Sequence, residues 1–196
     1  MIELKSISKK FNSEVLKDFS YLFTNNIYFL RGRNGSGKTT LLKLIKGIYH
    51  CDRGVIHLTG ELNQRNDITY IDGNFRTFFH RLTVRQNLEY FFSLQSDNQE
   101  KIIDDLLDFF SLLDLQHKIF SSLSQGQMQM ISLIRGFSSG PKVMLLDEVF
   151  SSLDEVNKKI VFKYLCDFIL NKENLIVFTS HDDDNIDMSF KELCLD

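Results

Sequence analysis

Gly32-Arg33-Asn34-Gly35-Ser36-Gly37-Lys38-Thr39 matches the phosphate-loop pattern G-x-x-x-x-G-K-[ST] at every fixed position. Ahead of it, Ile27-Tyr28-Phe29-Leu30 is a short apolar run that reads as a buried strand. Behind it, Leu41, Leu42, Leu44, Ile45 and Ile48 recur at helical spacing. A loop joining strand to helix is the context that the pattern needs. Glycines at 32, 35 and 37 let the backbone curl so that successive N–H groups face inward, and a helix starting near Lys38 adds the positive end of its dipole. The expected guest is a nucleoside triphosphate, with Lys38 reaching its β- and γ-phosphates and the Thr39 hydroxyl helping to hold Mg²⁺.

The 196 residues, 43% hydrophobic and 25% charged, suffice for one well-buried domain spanning the chain. A net charge of −3 without any dense Lys/Arg run argues against nucleic acid as the main ligand, because binding its backbone needs clustered positive charge. No apolar run approaches the roughly eighteen residues that span a bilayer. Met1-Ile2-Glu3-Leu4-Lys5 begins neither a signal peptide nor a transit peptide, so the expectation is a cytosolic chain. Cys51, Cys166 and Cys194 are odd in number and far apart. They read as ordinary, mostly buried thiols and not as a disulfide framework or zinc site.

Along the chain, Ile2 to Lys5 and Phe19 to Phe23 read as strands, with Phe11 in the polar turn between them. That ring suits either stacking on a nucleotide base or packing on the sheet edge. Gly54 to Gly60 and Ile68 to Ile71 are further strands, the second closed by Asp72-Gly73. From Asn74 the chain turns helical. Thr83-Val84-Arg85-Gln86 is a capping box, Leu88, Phe91 and Phe92 give one apolar face, and Ile102, Ile103, Leu106, Leu107 and Phe110 give the next. Leu123-Ser124-Gln125-Gly126-Gln127 leads into a helix with Met130, Ile131, Ile134 and Phe137 inward, stopped by Gly140-Pro141. Val143-Met144-Leu145-Leu146 is uninterrupted and apolar, as a central strand covered on both faces requires, and it delivers Asp147-Glu148 at its carboxyl end. Asp154 caps a helix whose expected apolar face is Val156, Ile160, Tyr164 and Phe168, with Val161 and Leu165 beside it. Leu175 to Phe178 is a last buried strand that presents Ser180-His181 at the same edge, and Asp182-Asp183-Asp184 reads as a solvated acidic turn.

Phosphate loop, Leu-Ser-x-Gly-Gln, apolar strand ending in Asp-Glu, and apolar strand ending in Ser-His follow one another in one order. In this the chain resembles the ATP-binding subunit of ABC transporters over essentially its whole length. The resemblance implies an α/β fold: a RecA-like P-loop NTPase core with an antiparallel β edge and an inserted helical subdomain near 74–138, within a single domain 1–196. It implies ATP and Mg²⁺ as cofactors. The loop residues Gly32, Arg33, Asn34, Gly35, Ser36, Gly37, Lys38, Thr39 and Thr40 would surround the phosphates, and Phe11 would stack on the adenine. Asp147 would join Thr39 in holding the metal, Glu148 would orient the attacking water, and His181 would contact the γ-phosphate beside Lys38. Ser124, Gln125, Gly126 and Gln127 resemble the family signature, with Gln125 in place of its commoner glycine. That signature would close on the ATP of a second ATPase subunit, together with the loop Ser151 to Asp154.

Departures from the family pattern are as informative. Its glutamine after the Ile68 to Ile71 strand is missing, and Asn74 offers a shorter amide as the candidate metal-sensing group. The stretch Asn74 to Thr83 resembles ABC-2-type exporter ATPases, which suggests export. Met130 replaces a usual arginine, and the early chain end gives the expectation that accessory C-terminal elements are absent. The implied partners are a second ATPase subunit and integral membrane permease subunits, docked where Phe75, Phe78, Phe79 and Arg81 line a groove or, alternatively, are core. The implied location is cytoplasmic, peripheral on the inner face of the cell membrane. A soluble ABC ATPase without a transport role and a nucleotide-gated regulatory subunit with little turnover are the alternatives. Retention of Glu148 and His181 speaks against the second.

Overall fold

In the computed structural model, which describes residues 1–60, 62–64, 66–93, 99–138, 140–170, 174–180 and 189–195, two sheets carry the fold. Five parallel strands lie in the order β5 (Ile68–Ile71), β6 (Val143–Asp147), β7 (Leu175–Thr179), β3 (Ile27–Arg31) and β8 (Lys191–Cys194). The antiparallel sheet has the order β2 (Glu14–Phe23), β1 (Ile2–Lys10) and β4 (Arg53–Leu58). β1 and β2 run further than their apolar alternation indicates. The pairs Lys9 with Leu16 and Lys10 with Glu14 carry the ladder through polar residues up to the turn at Phe11.

Because side chains alternate across a strand, the parallel sheet has two apolar faces and two cores. Ile68, Val143, Leu145, Leu175 and Val177 pack with α1 (Lys38–Lys46) and with Ile2, Leu4, Leu16 and Phe23 of the antiparallel sheet. Ile71, Met144, Leu146, Ile176, Phe178 and Phe29 pack on the opposite side with the remaining helices. These are α2 (Val84–Ser93), α3 (Gln99–Phe109), α4 (Gln125–Ser138) and α5 (Glu155–Leu170). The capping box before α2 is formed on both sides: the Thr83 N–H donates to Gln86 Oε1 at 2.9 Å, and the Gln86 N–H to Thr83 Oγ1 at 3.1 Å. Met130 is wholly buried in this core, where a guanidinium would lack partners.

Several expected faces are placed differently. Gly47, at φ 79°, ends α1 in the left-handed conformation, so Ile48 falls outside the helix and is exposed. Ile102 also faces solvent. On α5 the buried positions are Val161 and Leu165, while Val156 is 69% exposed and Ile160, Tyr164 and Phe168 are only partly covered. Both stripes have helical spacing, and only the direction in which the helix settles on the sheet chooses between them. The three cysteines are free, but Cys51 and Cys166 are half-buried and Cys194 is exposed on the edge strand β8, so none is the buried thiol expected.

Helix α4 crosses β5 so closely at Gly136 that a Cβ there would run into the Ile71 side chain and lie 3.4 Å from Thr69 Cγ2. Gly136→Leu is therefore expected to cost about 1–3 kcal/mol by overpacking. Urea unfolding checks this, and an unchanged midpoint would mean that the crossing has room to spare.

Candidate functional site

Strands β3, β5, β6 and β7 are parallel, so their carboxyl ends share one edge, and the chain leaves that edge through the residues singled out above. β3 runs into the phosphate loop. A Cβ on Gly32 would collide with the Leu195 carbonyl and the Ser36 hydroxyl, while Gly35 and Gly37 hold φ of 86° and 99°. Gly37 stands immediately before α1, whose first residues are Lys38, Thr39 and Thr40. The Lys38 ammonium is almost fully buried and donates to the carbonyls of Gly32 at 2.6 Å and Arg33 at 3.1 Å. Ser36 Oγ is buried without a hydrogen-bond partner, which marks the inside of the loop as a place for a polar guest. Beside the loop lies a cavity of about 360 Å³. Its walls are Asn34, Gly35, Gly37, Lys38, Thr39 and Thr40, with Glu148 from the end of β6 and Val15 from β2. This is an anion cradle of N–H groups and one ammonium, with a carboxylate facing it.

Asp147 sits next to the cavity and accepts three hydroxyl donors. Oδ1 takes Thr39 Oγ1 at 3.1 Å and Thr179 Oγ1 at 2.9 Å, and Oδ2 takes the Tyr70 hydroxyl at 2.8 Å. Strand register explains the set. Asp147 pairs with Thr179 directly, and Tyr70 pairs with Leu145, two residues before Asp147 and hence on the same face. Burial first, and then the adjacent Asp147 carboxylate, pushes the Tyr70 phenol above its ordinary range, so the hydroxyl stays a donor. Thr179 does double duty, because its oxygen also accepts the Glu148 N–H at 2.9 Å. Glu148 itself holds a positive φ of 55°, an uncommon conformation for a side chain of its kind, and its carbonyl accepts the Ser151 hydroxyl at 2.9 Å. Neighbouring hydroxyl and carboxylate oxygens are hard donors, and the pair Thr39 and Asp147 fits Mg²⁺, which binds through few protein oxygens and keeps water.

The remaining candidates are placed elsewhere. Phe11 is half exposed in its turn, edge-on to Tyr49 at 5.4 Å and under the Lys9 ammonium, and it is not part of the cavity wall. Asn74 is exposed, and its amide oxygen accepts the Arg76 N–H at 3.0 Å in a local turn. Ser124 caps α4 in a reciprocal box: its N–H donates to Gln127 Oε1 at 3.0 Å, and its Oγ accepts the Gln127 N–H at 3.3 Å. Ser124 and Gln125 are exposed, and none of Ser124 to Gln127 lines the cavity of the same chain. A Cβ on Gly126 would lie 2.8 Å from the Ser152 carbonyl, so this turn packs against Ser152. Asp154 caps α5, accepting the Asn157 N–H at 2.8 Å. His181 and the acidic run after it lie outside the described residues. Of the four groove candidates, Phe78 is core, stacked on Phe120 at 4.3 Å. Phe75 is partly buried, whereas Phe79 and Arg81 are exposed.

Four side chains at this site carried no motif signal. Tyr70 and Thr179 look like ordinary strand residues, and only pairing register turns them towards Asp147. Val15 reaches the cavity from the other sheet. Arg135, inside α4, lies over the rings of Phe78 at 4.8 Å and Phe91 at 4.9 Å and donates to the Thr77 hydroxyl, so it fastens the stretch after β5 to the helix. Burial lowers its guanidinium from the ordinary value, and Asp72 works against that shift.

Comparison with known proteins agrees with this geometry. The family described as ABC transporter matches residues 17–151, more than half of the chain. The sulfate/thiosulfate import ATP-binding protein CysA of Synechococcus elongatus is 34% identical over 191 residues, covering 92% of this chain and 55% of that protein. The ABC transporter ATP-binding protein YtrB of Bacillus subtilis is 30% identical over 188 residues, covering 92% and 63%. The chain thus spans little more than half the length of these relatives. Among solved structures, the ATP-binding cassette MJ0796, a dimer bound to ADP and Pi in a post-hydrolysis state, superposes with a TM-score of 0.86 at 20% identity, over all of this chain and 94% of that one. An ATP-binding subunit of an ABC transporter gives 0.81 at 22% identity, over 92% and 80%. At such identities these two likenesses speak for the fold, an ABC ATPase cassette.

Thr179→Val removes the donor to Asp147 and leaves the Glu148 N–H without its acceptor. A loss of about 1–3 kcal/mol is expected in chemical denaturation, with Thr179→Ser close to wild type. Equal stability of the three proteins would remove Thr179 from the cradle.

Proposed function

The chain belongs to the ABC transporter family of ATP-binding proteins, and from there we propose that it binds ATP with Mg²⁺, hydrolyses it as one of two paired cassettes, and so powers a transporter whose permease subunits are separate. The observation that carries this reading is the cavity in which Lys38, Thr39 and Glu148 meet, with the Asp147 carboxylate bonded to Thr39 beside them.

In the proposed cycle the N–H groups of the loop and the α1 dipole hold the phosphates, and the Lys38 ammonium transfers from the Gly32 and Arg33 carbonyls to phosphate oxygens. Thr39 and Asp147 hold Mg²⁺, which supplies neutralisation of charge on the phosphate oxygens. Asn74, committed to the Arg76 N–H, is left out of the metal set. Glu148 orients and polarises the attacking water, and His181 steadies the γ-phosphate. Phe11, half exposed, would stack on the adenine. Ser124 to Gln127, of which Ser124 and Gln125 are exposed, stand at the start of a 14-residue helix and outside the wall of the chain's own cavity, which suits a γ-phosphate held by a second cassette. Asp154 and the turn before it would cross the same interface.

The helices between 74 and 138 form the proposed inserted subdomain, and exposed Phe79, Tyr90 and Arg81 are its surface for a permease. Among the described residues no helix is long and apolar enough to cross a membrane, so membrane association is proposed to be peripheral, through that partner. Relatives named for a direction are import proteins. The proposal of export rests on the Asn74 to Thr83 stretch alone.

The test is ATP turnover by wild type and by Glu148→Gln, each followed by size-exclusion chromatography in Mg-ATP. Turnover in wild type, a fall of about a hundredfold or more in the variant, and a trapped dimer of the variant are expected. If neither protein turns over ATP and neither dimerises, the reading of this chain as a hydrolytic cassette is wrong.

A further inference from the structure

Resting on the reading of Thr39 and Asp147 as the metal-holding pair, we propose that Tyr70 is a positioning residue for the metal site, fixing the Asp147 carboxylate through its Oδ2. The three donors on that carboxylate are not equivalent. Thr39 is itself a candidate ligand, and its hydroxyl oxygen would offer a lone pair to a metal while its O–H still donates to Asp147 Oδ1. Oδ1 thus holds both threonines, and Oδ2 holds Tyr70. Anchors on both oxygens stop the carboxylate from rotating about its Cβ–Cγ bond. Without Tyr70, Oδ1 becomes a pivot and the plane of the group is free. Hydrogen bonds of this kind behind a ligating carboxylate commonly set metal affinity.

The phenol is itself held in place. The Tyr70 ring packs partly buried on the apolar core between the sheet and α1, with the Lys43 ammonium 5.9 Å from its centre. Its backbone is locked in β5 beside Leu145. The hydroxyl therefore reaches Asp147 from a fixed base, as a donor on a flexible loop would not. Beyond the end of this strand, the Asn74 amide oxygen accepts the Arg76 N–H. Tyr70 brings the strand onto the carboxylate.

The experiment compares Tyr70→Phe with wild type in two binding assays: Mn²⁺ affinity of the complex with a non-hydrolysable ATP analogue, read by electron paramagnetic resonance, and affinity for a fluorescent ATP analogue in EDTA. Phenylalanine keeps the ring and its packing. Mn²⁺ binding is expected to weaken about tenfold, while metal-free nucleotide binding is unchanged. In an Asp147→Asn background the same substitution should add nothing further. Unchanged Mn²⁺ affinity, an equal loss in both assays, or an additive loss in the Asn background would each overturn the proposal. Failure of wild type to bind nucleotide at all would instead overturn the functional reading beneath it, and this proposal with it.

Discussion

The Asp147 carboxylate is the point on which the site depends, because it is nearly buried at a sheet edge and must be satisfied there by other side chains. Hydroxyls from α1, β5 and β7 converge on it. They can do so because β6 lies between β5 and β7 in register, and because alternate residues of a strand point to one face. The same parity that puts Leu145 and Val177 against α1 brings Tyr70, Asp147 and Thr179 together at the end of the strands. Core and site are therefore one arrangement. A shift of one residue between β6 and β7 would bury Asp147 in the opposite core and separate it from the phosphate loop.

From that edge two elements carry the geometry outward. Glu148 follows Asp147 directly, in a backbone conformation that the Thr179 and Ser151 hydrogen bonds hold, and it lines the same cavity as Lys38. Helix α4 spans the other distance. It starts at the Ser124 cap, touches the Ser152 turn through Gly126, and ends over β5 where Gly136 admits the Ile71 side chain. Near that end Arg135 grips Thr77 and Phe78. One rigid element thus touches the exposed signature turn, the turn after Glu148 and the stretch beyond β5.

Local pattern was enough wherever a few neighbouring residues carry the whole physical signal. The glycines and lysine of the phosphate loop, the Thr83 cap, the apolar run Val143 to Leu146 and the acids after it are such cases, since a tight loop, a helix start and a doubly covered strand each impose their own composition. Those stretches identified an α/β nucleotide-site architecture and most of the cavity wall. Long-range register and helix rotation decided the rest. Tyr70 and Thr179 join Asp147 only through strand pairing, Val161 and Leu165 displace Val156 from the α5 interface only through packing, and the Asn74 amide oxygen meets the Arg76 N–H only through a two-residue turn. In each case residue type allows several partners at similar free energy, and only the folded chain selects among them.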